Sequence, residues 1–117
     1  MGNIIREKSY KFALRIIKMR KYLVENNKEY TLSNQVLRSG TSIGANVEEG
    51  IGAQSRKDFI SKMSIAQKEA FETRYWLRLL RDSKEIKKEY ADSMISDCDE
   101  LISILSKILI TSKSNTE

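Results

Sequence analysis

The sequence predicts an all-α protein, an antiparallel up-down-up-down four-helix bundle forming a single domain over residues 1–117. Three observations predict it. Apolar residues recur at steps of three and four over four long stretches. Short polar breaks separate those stretches, and short connections make successive helices antiparallel neighbours. No segment alternates apolar and polar residues for more than a few positions, and the chain has no proline.

The first helix is expected over about 5–25. Phe12, Ile16, Met19 and Leu23 step by four, three and four, and Ala13, Ile17 and Tyr22 widen that face. Asn26-Asn27-Lys28 breaks it. The second is expected over about 32–49, with Thr31 or Ser33 as cap and Gly50-Ile51-Gly52 as a left-handed stop. The third is expected over about 56–81. Ser55 and Asp58 form the acidic variant of a capping box. Phe59, Met63, Ala66, Ala70, Thr73, Leu77 and Leu80 then share one face. The fourth is expected over about 84–111, started by Asp82-Ser83, with Ala91, Met94, Cys98, Leu101, Leu105 and Ile108 on its buried face. Residues 112–117 read as a frayed polar tail.

Composition excludes several chemistries. There is no histidine, so histidine metal sites, Ser-His-Asp triads and Cys-His dyads are ruled out. Glu48, Glu49, Glu69 and Glu72 suggest a di-metal carboxylate bundle only weakly, because that chemistry normally pairs Glu with His one turn away. Gly50-Ile51-Gly52-Ala53-Gln54-Ser55 has no preceding strand and no third glycine, so it reads as an interhelical turn and not a phosphate loop. Cys98 falls on the core stripe beside Asp97, Asp99 and Glu100, and reads as a small buried hydrophobe. No catalytic set, metal site or cofactor is expected. No uncharged run exceeds nine residues, so no membrane span is expected. The start of the chain has neither a signal-peptide stretch nor the Ser or Thr a myristoylation signal needs, Arg6 standing there. A cytoplasmic protein is expected.

Two features point outward from the bundle. The third helix is apolar on three sides: Ile60, Phe71 and Tyr75 flank its core stripe on one side, and Ile65, Trp76 and Leu79 on the other. Every helix of a four-helix bundle keeps an outer face, so these six residues are candidates for contact with further copies. The second feature is charge. The net charge is +5, but residues 1–30 and 56–88 each carry +5 while residues 89–117 carry −4. Lys8, Lys11, Arg15 and Lys18 form a stripe on the first helix, and Arg74, Arg78 and Arg81 form one on the third. Such stripes suit the backbone of RNA or DNA, and neighbouring Tyr10, Phe71 and Tyr75 suit base stacking. No base-reading module is present. The alternative is a solubilising surface in which the acidic last segment pairs with its basic neighbours.

The second helix has poor intrinsic propensity, with Gly40 and Gly44 one turn apart. That spacing lets another backbone approach closely. A helix held by packing should be buried, so Arg38, Asn46 and Glu49 need polar partners, and Glu69 and Glu72 are the candidates.

The segment from Arg38 to Gly50, with Ser55-Arg56-Lys57-Asp58-Phe59-Ile60 and the run from Lys68 to Leu77, resembles the bacterial four helix bundle protein family. Its founding members are encoded in intervening sequences within 23S ribosomal RNA genes. The resemblance extends from about Tyr10 to Ile108, departing from the common pattern at Glu48 and Glu69. It implies an antiparallel bundle that assembles into a homopentameric ring. A relative, the accessory protein of diversity-generating retroelements, is a basic pentamer that binds nucleic acid and partners a reverse transcriptase. The resemblance therefore names further copies, RNA or DNA, and a reverse transcriptase or another protein as expected partners. A protein-interaction scaffold with no nucleic-acid role is the alternative.

Overall fold

A computed structural model describes residues 2–114, with side chains from Ile4 onward. It contains α1 (Gly2–Asn27), α2 (Thr31–Ile51), α3 (Arg56–Asp82) and α4 (Lys88–Ser114), and no strand among the described residues. The bundle measures 49 × 21 × 20 Å. Helix α1 packs on α2 and α4, α3 packs on the same two, and the backbones of the diagonal pairs stay more than 8 Å apart among the described residues. The α1/α4 seam is much the slightest of the four.

The 3.6-residue period places the core. Phe12, Ile16, Met19 and Leu23 of α1 are buried, as are Met63, Ala66, Ala70, Leu77 and Leu80 of α3. From α4 come Ala91, Met94, Cys98, Leu101 and Leu105, and from α2 Val36, Ile43 and Val47. All four helices contribute to one hydrophobic cluster. Two expected members of the α1 face differ: Ile17 and Tyr22 are 39% and 48% exposed. Among the buried polar groups, Thr73 Oγ1 lies 2.8 Å from both Ser39 Oγ and the Glu69 carbonyl, which ties α2 to α3 without an orphaned hydroxyl.

The close approach expected at the second helix is present. Gly40 lies against Ile16, and Gly44 against Ser9, so both face α1. Four other expectations need correcting. Gly50 does not end α2 in a left-handed turn: no glycine among the described residues has positive φ, and Gly52 sits at φ −86°. Gly50 is helical and buried, where a Cβ would meet Met63 Cε at 3.0 Å. It makes room for α3. Neither Thr31 nor Ser33 caps α2. The Glu29 carboxylate accepts from Leu32 N (3.1 Å) and Ser33 N (2.8 Å), and Ser33 is buried inside the helix. Asp82-Ser83 does not start α4. Ser83 is the C-cap of α3, and α4 begins at Lys88, where Ala91 N donates to Lys87 O. The fourth helix also continues past residue 111 into the expected tail, reaching Ser114 with Ser112 buried; residues 115–117 of that tail lie outside the described residues. Ser55 does cap α3, accepting from Asp58 N at 3.1 Å.

Helices α1 and α3 both stop at a lysine in the left-handed region, Lys28 (φ 54°) and Lys84 (φ 65°). After α3, Lys84 N donates to Arg81 O at 3.1 Å and Glu85 N to Leu80 O at 3.0 Å, the two bonds of a Schellman ending, while after α1 Glu29 N reaches back to Leu23 O at 3.0 Å. A side chain in that region costs about 1–2 kcal/mol, part of which glycine loses again to a freer unfolded chain. Lys28→Gly should therefore raise stability by about 0.5–1 kcal/mol in chemical denaturation.

Candidate functional site

The acidic α4 lies between the two basic stripes and pairs with both. Lys8 Nζ is 3.2 Å from Glu100 Oε2, and Arg15 Nη1 is 2.6 Å from Asp97 Oδ2. On the other side Arg74 Nε is 2.7 Å from Asp99 Oδ1, and Arg81 Nη1 is 3.1 Å from Asp92 Oδ1 while its Nε holds Asp82 at 2.9 Å. Hydrogen bonds from Arg81 hold the Asp82 carboxyl below the usual carboxylate range. Lys88 first, then Arg81, does the same for Asp92. These acids stay ionised at neutral pH. Four of the seven stripe cations are thereby matched. Lys11, Lys18 and Arg78 have no ion-pair partner among the described residues. The pairs are exposed or only part-buried, so each contributes little stability and loosens with salt. Their main effect is to narrow the free positive surface.

The expected polar network divides into parts. Arg38 Nη1 reaches Glu69 Oε1 at 3.3 Å, and its Nη2 bonds Glu72 Oε2. Trp76 Nε1 donates to that same Glu72 oxygen at 3.0 Å. The indole hydrogen bond first, then Arg38, lowers the Glu72 carboxyl below its ordinary value. Asn46 bonds the Ser42 carbonyl on its own helix, and Glu49 pairs with Lys62 at 2.7 Å. The network is not buried as expected: the Arg38 side chain is 50% exposed, because a long side chain on α2 can bridge to α3 over the outside of the bundle.

The α3 candidates fall into two groups. Phe71 and Tyr75 lie on the outer face, 54% and 51% exposed, and Ile65, on the other flank of the helix, is 37% exposed. Ile60 and Trp76 are half-buried against their own core, and Leu79 is half-buried. Tyr75 and Trp76 meet edge to face at 5.2 Å. A second apolar face escaped the sequence reading. Tyr10, Leu14 and Ile17 of α1 are exposed at steps of four and three. Since α1 and α3 are diagonal, these two apolar faces point away from opposite sides of the bundle.

Another missed feature is a cleft where α1 and the start of α4 part. It is lined by Arg15, Lys18, Tyr22, Ile86, Lys87 and Tyr90. The available signal was basic and aromatic residues interleaved at helical spacing, Lys18 with Tyr22 and Lys87 with Tyr90.

Cys98 is fully buried, its Sγ 3.2 Å from the Ala70 carbonyl. Burial, then Asp99, pushes its thiol up to about 12, so almost no thiolate exists at neutral pH. No group of His, Cys, Asp and Glu able to hold a metal occurs among the described residues. No described helix is long and apolar enough to cross a membrane.

Comparison with known proteins agrees with this architecture. The 23S rRNA-intervening sequence protein family matches residues 2–107. A crystal structure described as a protein with unknown function from the S23 ribosomal protein family of Bacteroides thetaiotaomicron is 48% identical. It superposes with a TM-score of 0.91, over 92% of this chain and 96% of that one. No curated protein matches the chain significantly.

Proposed function

Because the chain belongs to the 23S rRNA-intervening sequence protein family and carries apolar outer faces on two diagonal helices, we propose a non-enzymatic, self-assembling bundle. In this reading the assembly binds RNA or DNA without strong sequence preference. The carrying observation is the pair of opposed faces, Phe71 and Tyr75 on α3 against Tyr10, Leu14 and Ile17 on α1. A patch that meets a different patch on the next copy gives a head-to-tail contact, and such contacts form a ring where the rotation between copies closes and a filament where it does not. A homopentamer is the ring we propose. The nucleic-acid part draws on the +5 net charge and on the unpaired Lys11, Lys18 and Arg78. A ring repeats each weak site and strengthens binding by avidity. The one cluster spanning all four helices supports a single domain, and a buried free thiol suits the reducing cytoplasm.

A second reading, a scaffold that docks a reverse transcriptase or another protein without nucleic acid, is favoured by the α4 acids. They already satisfy Lys8, Arg15, Arg74 and Arg81. One experiment separates the two. Phe71→Glu/Tyr75→Glu should reduce the particle to the 13.5 kDa subunit in light scattering. The same variant should bind labelled generic RNA or DNA about tenfold or more weakly in anisotropy titrations. Wild-type protein that binds neither polymer at ~50 mM salt, the permissive condition, leaves the scaffold reading in place of the first.

A further inference from the structure

The groove between α1 and α4 changes character along its length. Near the middle of the bundle, Lys8, Lys11 and Arg15 face Asp97 and Glu100, so cations and acids share the same lining. Towards the α3–α4 connection the lining becomes Arg15, Lys18, Tyr22, Ile86, Lys87 and Tyr90, three cations with no acid. Lys18 and Lys87 have no ion-pair partner among the described residues. This part of the groove encloses about 510 Å³, within the ~300–1,000 Å³ usual for small-molecule sites.

The cleft has a structural cause. Helix α4 starts late because Lys84 turns the chain in the left-handed region and Ile86 drops into the core. That connection brings Lys87 and Tyr90 opposite Lys18 and Tyr22 on a seam where the two helices pack only lightly. Tyr22 lines the cleft and is 48% exposed. Tyr90 is half-buried, with the Arg15 guanidinium carbon 5.7 Å from its ring centroid. That guanidinium also donates to Asp97 and Ser93, at 2.6 and 3.3 Å. Burial raises the Tyr90 phenol above its ordinary value, so it remains a neutral hydrogen-bond donor. An adjoining hollow shares Tyr22, Ile86 and Lys87 and continues past Lys84 and Lys88, where Asp82 and Glu85 first bring acids back to the lining.

Two aromatic rings, an aliphatic floor and unneutralised ammonium groups select a planar ring that carries a negative charge. Double-stranded nucleic acid offers charge without a free ring face, and an acidic peptide offers charge without a planar ring. Resting on the nucleic-acid reading above, we propose that this cleft takes one unpaired nucleotide of single-stranded nucleic acid. Its base stacks on Tyr22 and Tyr90, and its phosphates lie within reach of Lys18 and Lys87. Sequence preference is then weak, since every base has a π face.

The test uses the full chain and a labelled oligouridylate of ~10 nucleotides, in the range one small binding module covers. Tyr22 is exposed, so its substitution leaves the core intact, which circular dichroism verifies. Tyr22→Ala should weaken binding about tenfold to hundredfold, while Tyr22→Phe, which keeps the ring, should bind as the wild type. Lys18→Glu/Lys87→Glu should lower affinity and flatten the slope of log affinity against log salt by about 0.7 for each phosphate that is no longer neutralised. A blunt duplex of equal length should bind more weakly than the single strand. Wild-type affinity in both Tyr22→Ala and Lys18→Glu/Lys87→Glu overturns the cleft assignment while leaving nucleic-acid binding to other surfaces. A duplex bound as tightly as the single strand also overturns it. Failure of the wild-type chain to bind either probe removes the broader reading, and the cleft assignment with it.

Discussion

Leu77→Ala should lower the unfolding free energy by about 2–5 kcal/mol. Leu77 is fully buried on the face of α3 that enters the common core. Removing its isobutyl group loses transfer free energy of about 1.5–3 kcal/mol. The cavity left behind adds to that, because α3 is gripped by α2 and α4 on either side and cannot settle into the gap. Against a typical total of ~5–15 kcal/mol, the change removes a large share of the stability. Urea unfolding followed by far-UV circular dichroism measures it. Leu79→Ala, half-buried towards the outer face, serves as the comparison and should cost clearly less. A Leu77→Ala loss below about 1 kcal/mol contradicts the core placement.

Gly40→Val should also be strongly destabilising, although replacing a helical glycine ordinarily helps. A Cβ at position 40 would meet Ile16 Cγ1 at 2.8 Å, Cγ2 at 3.0 Å and Cδ1 at 3.1 Å. Ile16 is fully buried and has no free direction in which to swing. The α1/α2 pair must separate or both side chains must leave their rotamers, at about 1–3 kcal/mol or more. The propensity gain of up to ~1 kcal/mol does not offset this. One turn later the sign reverses. A Cβ on Gly44 would come no closer than 3.4 Å to Ser9 Oγ, so Gly44→Ala should be neutral or stabilising by up to ~1 kcal/mol. Ile16→Val should reduce the cost of Gly40→Val, and a double-mutant cycle in chemical denaturation reads that coupling. Simple additivity of the two changes contradicts the contact.

Much of this architecture was legible because helical period is a local property that reports burial directly. Phe12, Ile16, Met19 and Leu23 could be placed from their spacing alone, and so could the row from Met63 to Leu80. The Ser55 cap was legible for the same reason, being set by four consecutive residues. What failed depended on backbone conformations that residue type does not announce. Lys28 and Lys84 take the left-handed positions usually filled by glycine, while Gly50, which looks like a stop, is a packing residue inside a helix. The start of α4 was misplaced in consequence, at about residue 84 instead of Lys88.

The candidate site was harder to read, because it depends on which faces the bundle brings together. The unequal charges of the segments were visible in the sequence, and so was the option that the acidic segment pairs with its basic neighbours. The residue pairs were not: Arg15 and Asp97 are 82 positions apart, and Arg74 and Asp99 are 25 apart. Tyr22 was assigned to the core from its spacing, yet α1 turns it towards a seam that the late start of α4 leaves open. Exposure of Phe71 and Tyr75 was expected from the surplus of apolar sectors on α3, whereas the matching face on α1 went unnoticed among its lysines.

Sedimentation equilibrium of the unmodified chain, run over a wide range of loading concentrations, bears most directly on whether two opposed greasy surfaces join copies together. A mass that is a whole multiple of 13.5 kDa, fivefold for the ring proposed here, is the expected result. A single 13.5 kDa species at every concentration would contradict it.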